Sequence, residues 1–130
     1  NLTFPGTANA VMLAGGKPIL VDVDKKNLLI NEINLLQKIT KKTKAIIPVH
    51  ISGRGSNINK ILKIAKYNKI FVIEDAAEGL GSSVNNQKTG SLSDSAIFSF
   101  CGNKVLTTGE GGAIVTNSKE IFEKVKLLVR

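Results

Sequence analysis

The sequence predicts an α/β fold, a three-layer sandwich in which a mostly parallel sheet is covered by helices on both faces. Short apolar runs at residues 18–22, 45–50 and 70–73 read as buried strands. Between them lie stretches with apolar residues at helical spacing, the alternation that builds parallel sheets. Asp22, His50 and the pair Glu74-Asp75 stand at the carboxyl ends of these runs, the edge where such sheets hold ligands.

Each element has a local reason. Residues 7–14 are helical in composition and stop at Gly15-Gly16, a suitable C-cap. The run 18–22 follows as the first strand. Ile30, Ile33, Leu36 and Ile39 recur at helical spacing and predict an amphipathic helix with Lys38 and Lys41 near its end. In the strand 45–50, Pro48 cannot donate to a ladder and argues for a terminus or an edge position. Ser56 is placed to cap a helix whose face is Ile58, Ile61, Leu62 and Ala65. Residues 85–88 read as a turn. Residues 95–100 and 113–116 are further strands on either side of a glycine-rich loop, and Ser118 caps a last helix with Ile121, Phe122, Val125 and Leu128 inward.

The length, 130 residues, suits one domain or part of one. The chain begins at Asn1 without an initiator methionine and ends at Arg130 within a helical pattern, so a piece of a longer protein is expected. No apolar run approaches a membrane span, and the opening residues resemble no secretory signal. One cysteine excludes an internal disulfide and a CxxC metal cluster, so the expected compartment is the cytoplasm. The net charge of +8 raises nucleic acid or another polyanion as a partner. The lysines are spread along the chain without interleaved aromatics, which gives no stacking platform and argues against nucleic acid. Neither GxGxxG nor GxxxxGK[ST] is present.

The chemistry concentrates in residues 98–112. Lys104 lies between a strand-like run and a glycine-rich turn, five residues after Ser99. A half-enclosed lysine can serve as an amine nucleophile, and a serine with nearby backbone N–H groups can hold a phosphate. Together they suggest a Schiff-base lysine beside a phosphorylated aldehyde cofactor; the alternative is a solvated lysine at the start of a loop. Asp75 could pair with a protonated pyridine nitrogen of pyridoxal phosphate, or could cap the turn that follows it.

Five blocks occur in order: Leu2-Thr-Phe-Pro-Gly-Thr-Ala-Asn-Ala10, Gly16-Lys-Pro-Ile-Leu-Val-Asp-Val-Asp24, Thr43-Lys-Ala-Ile-Ile-Pro-Val-His50, Val72-Ile-Glu-Asp-Ala-Ala-Glu78, and residues 98–112. With these the chain closely resembles the DegT/DnrJ/EryC1/StrS family of pyridoxal-phosphate-dependent sugar aminotransferases, its sugar 4-aminotransferases above all. The resemblance implies the large-domain core of a fold type I aminotransferase over residues 1–130, with an upstream phosphate-binding segment and a C-terminal small domain lying outside the chain. It implies Lys104 as the Schiff-base lysine and proton shuttle, Asp75 at the pyridine nitrogen, and Ser99 at the phosphate. Phe4 would stack on the cofactor ring, with core packing as the alternative. Glu78 would lie near the 3-oxygen, where a carboxylate must be protonated or bridged by water. His50 is read as structural. A lysine at 104, where a dehydratase branch carries histidine, favours transamination. The implied substrates are a nucleotide-linked 4-keto-6-deoxy sugar and glutamate, in amino-sugar and surface-polysaccharide synthesis, with a homodimer for the full-length protein. The rival expectations are a basic module that binds polyanions without catalysis, a sugar 3-aminotransferase, and a dehydratase.

Overall fold

Parallel pairing dominates the sheet of the computed structural model, which describes residues 2–129. The elements in chain order are α1 (Pro5–Leu13), α2 (Glu32–Lys38), β1 (Ala45–Ile46), α3 (Ile58–Asn68), β2 (Phe71–Asp75), β3 (Ser83–Val84), β4 (Gln87–Lys88), β5 (Ser95–Ser99), β6 (Gly112–Val115) and α4 (Lys119–Leu128). The main sheet has the order β1-β2-β5-β6. Its first two pairings are parallel and the last is antiparallel. Asn1 and Arg130, on which the expectation of a longer protein rested, lie outside the described residues.

The core forms where α3 crosses β2. Ile58, Ile61, Ile64 and Ala65 line one face of α3 and are buried with Val72, Ile46 and Leu35. The i, i+3, i+6, i+7 spacing puts these side chains on one stripe, so the helix must lie on the sheet to keep them from water. Lys69 ends α3 in the left-handed region, and the chain turns directly into β2. β1 is a sheet edge, and Pro48 follows its two-residue ladder, as a residue without an N–H requires.

Several expectations are corrected. The run 18–22 is not a strand. Its last residue, Asp22, bonds to the start of α2, donating its N–H to Asn34 Oδ1 and accepting from Asn31 N–H, each at 2.9 Å. Val21 still packs against the core, whereas Ile19 and Leu20 are exposed. Apolarity alone could not tell an extended tether from a strand, because a strand is defined by its partner. In α2 the buried residue is Leu35, and Ile33 and Leu36 are exposed. Repeated i+3 steps drift by about 60° each on an α-helix, so the predicted set does not share a face. Asn57, not Ser56, caps α3, accepting from Lys60 N–H; Ser56 is buried beneath it. The turn read over residues 85–88 is present but shorter: Asn85 and Asn86, both at positive φ, form it, and Gln87–Lys88 is the second strand of the hairpin. Ser118 does cap α4. No residue of α4 is buried, however: Ile121 and Val125 are half-covered while Phe122 and Leu128 face outward.

Candidate active site at the carboxyl ends of β2 and β5

A cavity of about 270 Å³ opens beyond the carboxyl ends of β2 and β5. That is close to the roughly 300 Å³ lower bound of small-molecule sites. Glu78, Ser99, Asn103 and Lys104 line it, with Ser52 and Gly53 from the loop after β1. Parallel strands bring these residues together from three separate stretches, because all their carboxyl ends point the same way.

Lys104 is not a solvated lysine, since its side chain is only 18% exposed. The loop that presents it is closed on itself. Phe100 N–H donates to Gly111 O at 2.9 Å, Thr108 N–H to Phe100 O at 3.0 Å, and Lys104 N–H to Cys101 O at 3.0 Å. Gly109 and Gly111 have positive φ, which the return to β6 requires and a side chain would oppose. Gly112 is needed for space: a Cβ there would lie 2.5 Å from Phe98 O across the β5–β6 ladder.

Lys104 Nζ lies 3.7 Å from Glu78 Oε1. The other oxygen of Glu78 accepts from Ser52 N–H at 2.8 Å. Ser52 adopts positive φ, so the loop is bent to aim this N–H at the carboxylate. Ser99 lines the cavity, and its hydroxyl accepts a long hydrogen bond from Cys101 N–H at 3.4 Å.

Asp75 is 7% exposed at the end of β2. Its Oδ1 accepts from Ala77 N–H at 3.2 Å, so it does cap the following turn. Its Oδ2 accepts from Thr7 Oγ1–H at 2.6 Å, which ties the first turn of α1 to this strand end. Thr7 N–H in turn donates to Phe4 O. Phe4 therefore stands one turn from the group that holds Asp75. Phe4 is 81% exposed and packs into no core among the described residues.

Beneath the cavity lies a polar cluster for which the sequence suggested no partner set. His50 and Glu74 are both 0% exposed, and His50 Nε2 is 2.9 Å from Glu74 Oε2. Ser56 N–H donates to His50 Nδ1 at 3.0 Å, so Nδ1 is the acceptor and Nε2 carries the proton. Glu74 also accepts from Gly90 N–H, Leu92 N–H, Ser93 N–H and the Ser93 hydroxyl. Burial pushes the Glu74 carboxyl up, but hydrogen bonds from His50, Gly90, Ser93 and Leu92 outweigh it and bring it from 4.5 to about 2. His50 fits the structural role expected for it. Glu74 was detectable in principle, since the period-2 pattern of a strand places it on the same buried face as Val72. Thr7 and Ser52 were not, because their contacts cross between distant segments.

Among the described residues no helix is long and apolar enough to cross a membrane, and no cluster of His, Cys, Asp and Glu could hold a metal ion.

Known proteins match this arrangement along the whole chain. The profile of the DegT/DnrJ/EryC1/StrS aminotransferase family matches residues 1–130. GDP-perosamine synthase of Caulobacter vibrioides is 44% identical over 128 residues, covering 98% of this chain and 34% of the relative. The structure of Helicobacter pylori PseC, an aminotransferase involved in the biosynthesis of pseudoaminic acid, superposes with a TM-score of 0.93 at 35% identity, covering 97% of this chain and 34% of that one. A mutant of the GDP-4-keto-6-deoxymannose-3-dehydratase ColD with bound GDP-perosamine superposes with a TM-score of 0.89 at 31% identity, covering 95% and 32%. The chain thus spans about a third of the length of the relatives it matches.

Proposed function

The chain belongs to the DegT/DnrJ/EryC1/StrS aminotransferase family, and on that premise we propose that it forms the cofactor-binding part of a pyridoxal-phosphate-dependent sugar aminotransferase. The observation that carries this reading is the gathering of a half-enclosed lysine, Lys104, with Glu78 and Ser99 around one cavity; Asp75, buried at the end of β2, is not in its lining but lies two residues before Ala77, which is.

The donor set fits the cofactor. Pyridoxal phosphate supplies, when bound, an aldehyde for capture by an amine and a pyridine ring that accepts electron density. Asp75, an acceptor already fixed by Thr7 and Ala77, would receive the N–H of a protonated ring nitrogen. Phe4, an exposed ring on the turn that holds Thr7, would lie against the face of the pyridine. The Ser99 hydroxyl would donate to a phosphate oxygen. Glu78 would sit by the 3-oxygen, with Ser52 N–H keeping it in place.

Lys104 is the nucleophile in this reading. Its amine must be neutral to react, and its proton passes at Nζ to and from the sugar carbon that gains nitrogen. Glu78 Oε1 lies 3.7 Å from Nζ, a contact that parts when the amine moves to attack. The substrate is then a nucleotide-linked 4-keto-6-deoxy sugar, with glutamate giving the amino group in a two-stage cycle. The product would serve surface-polysaccharide synthesis in the cytoplasm, and the active protein would be a homodimer. The names of the relatives, GDP-perosamine synthase and PseC, support the sugar class.

The test is spectroscopic. Adding pyridoxal 5′-phosphate to the complete gene product should give the absorbance of a cofactor bound to lysine, and Lys104→Ala should abolish it. An unchanged spectrum in Lys104→Ala sinks the assignment. Steeply salt-dependent DNA binding would instead raise the polyanion-binding alternative.

A further inference from the structure

The buried His50–Glu74 pair touches none of the residues assigned above through a side-chain hydrogen bond, yet it is joined to two of them through the backbone. The backbone of Asp75 is held on both sides of Val49: its N–H donates to Pro48 O, and its carbonyl accepts from His50 N–H, each at 2.9 Å. The loop that follows supplies Ser52 N–H to Glu78 Oε2 and Gly53 N–H to Glu78 O. That loop closes on the His50 ring, because Ser56 N–H ends on Nδ1 and the Ser56 hydroxyl bonds back to Val49 O. The ring is fixed from its other side by Glu74, which four donors from residues 90–93 hold in turn. His50 also packs against the turn that carries Glu78. A Cβ on Gly79 would lie 3.1 Å from His50 Cβ, a tight contact that glycine avoids.

We propose that His50 and Glu74 are positioning residues for the cavity: their hydrogen bond sets the backbone of residues 48–53 and, through it, the placement of Asp75 and Glu78. A buried pair that served stability alone could sit anywhere in the core. This one ties residues 48–53, which hold the backbone of Asp75 and Glu78, to residues 90–93, which lead into β5, and it is fully satisfied, which fixes a single geometry. The inference rests on the reading of the cavity as a pyridoxal phosphate site.

The experiment measures the Kd of pyridoxal 5′-phosphate and the absorbance maximum of the bound cofactor in the full-length protein, alongside unfolding in urea. His50→Ala should weaken binding by about tenfold or more and move the maximum, because Asp75 no longer meets the ring nitrogen squarely. His50→Gln, which keeps an N–H toward Glu74, should recover most of both. Ile61→Ala removes a core side chain from α3 away from the cavity and is the control for lost stability. It should lower stability and leave the Kd within about twofold of wild type, since distant sites act independently. Where His50→Ala fails to fold, Glu74→Gln decides in the same way. A wild-type Kd and maximum in the His50 or Glu74 variant, or an equal loss in Ile61→Ala, overturns the proposal. Wild-type protein without Lys104-dependent absorbance overturns the cofactor reading itself, a different outcome.

Discussion

Glu74 and Glu78 are one turn of chain apart and live in opposite surroundings. Glu74 is sealed beneath the sheet end, takes five hydrogen bonds and is held at about 2. Glu78 is nearly half exposed, takes one backbone N–H and faces Lys104 at 3.7 Å. The difference separates two uses of a carboxylate. Surrounded by donors in a dry site, it becomes a fixed part of the frame. Left with a long contact to a lysine at the cavity wall, it stays free to change partners when a ligand arrives.

The contrast breaks most sharply at the lysine. On the proposed function, Lys104→Ala in the full-length protein should leave the fold intact and cut transamination by about 10²–10⁴-fold or more, the loss expected if its amine is the nucleophile and moves a proton. Turnover with a nucleotide-linked keto sugar and glutamate checks it. On the buried side, His50→Ala should cost about 3 kcal/mol of stability in urea unfolding, because Glu74 loses its strongest partner where water cannot replace it. A loss no larger than that of a surface substitution would show that the cluster is solvated in solution.

Acid tests the same pair without mutation. The Glu74 carboxyl is lowered by folding, so its contribution is complete above its ordinary value of 4.5 and fades as pH falls toward about 2. Stability of the wild type should therefore drop through that window by roughly 2–3 kcal/mol more than stability of Glu74→Gln. Parallel curves would place the titration elsewhere. The smallest effect belongs to Glu78→Gln. A long contact at 3.7 Å to a half-exposed carboxylate contributes about 0–1 kcal/mol, so its unfolding midpoint should barely move while the spectrum of added pyridoxal phosphate changes. A large stability loss there would erase the distinction between the two carboxylates.

Much of this was legible in the residues. The face Ile58, Ile61, Leu62 and Ala65 follows from period and the strand around Val72 from its apolar run; in the core Ile64, outside that predicted face, is buried while Leu62 is only partly covered. Lys104, Ser99 and Glu78 share the cavity because their neighbouring runs are strands and turns at one sheet edge. The misses have a common cause. The extended run 18–22 has the composition of a strand, but its backbone bonds to α2. The helix ending at Leu128 has an apolar face that the described residues cover only in part, at Ile121 and Val125. Local pattern states what a segment could bury, and a partner decides whether it does.

The sequence by itself determined the α/β alternation, the family and the place of Lys104 in a glycine-rich loop, because hydrophobic period and short motifs act within a few residues of one another. Only the tertiary structure decided that Thr7 holds Asp75, that Ser52 holds Glu78, and that His50 and Glu74 close a buried cluster under both. Those contacts join residues 24–68 positions apart, and no local preference encodes them. They form because the parallel sheet brings its carboxyl ends together, and because a polar group buried there must find its partner across the fold.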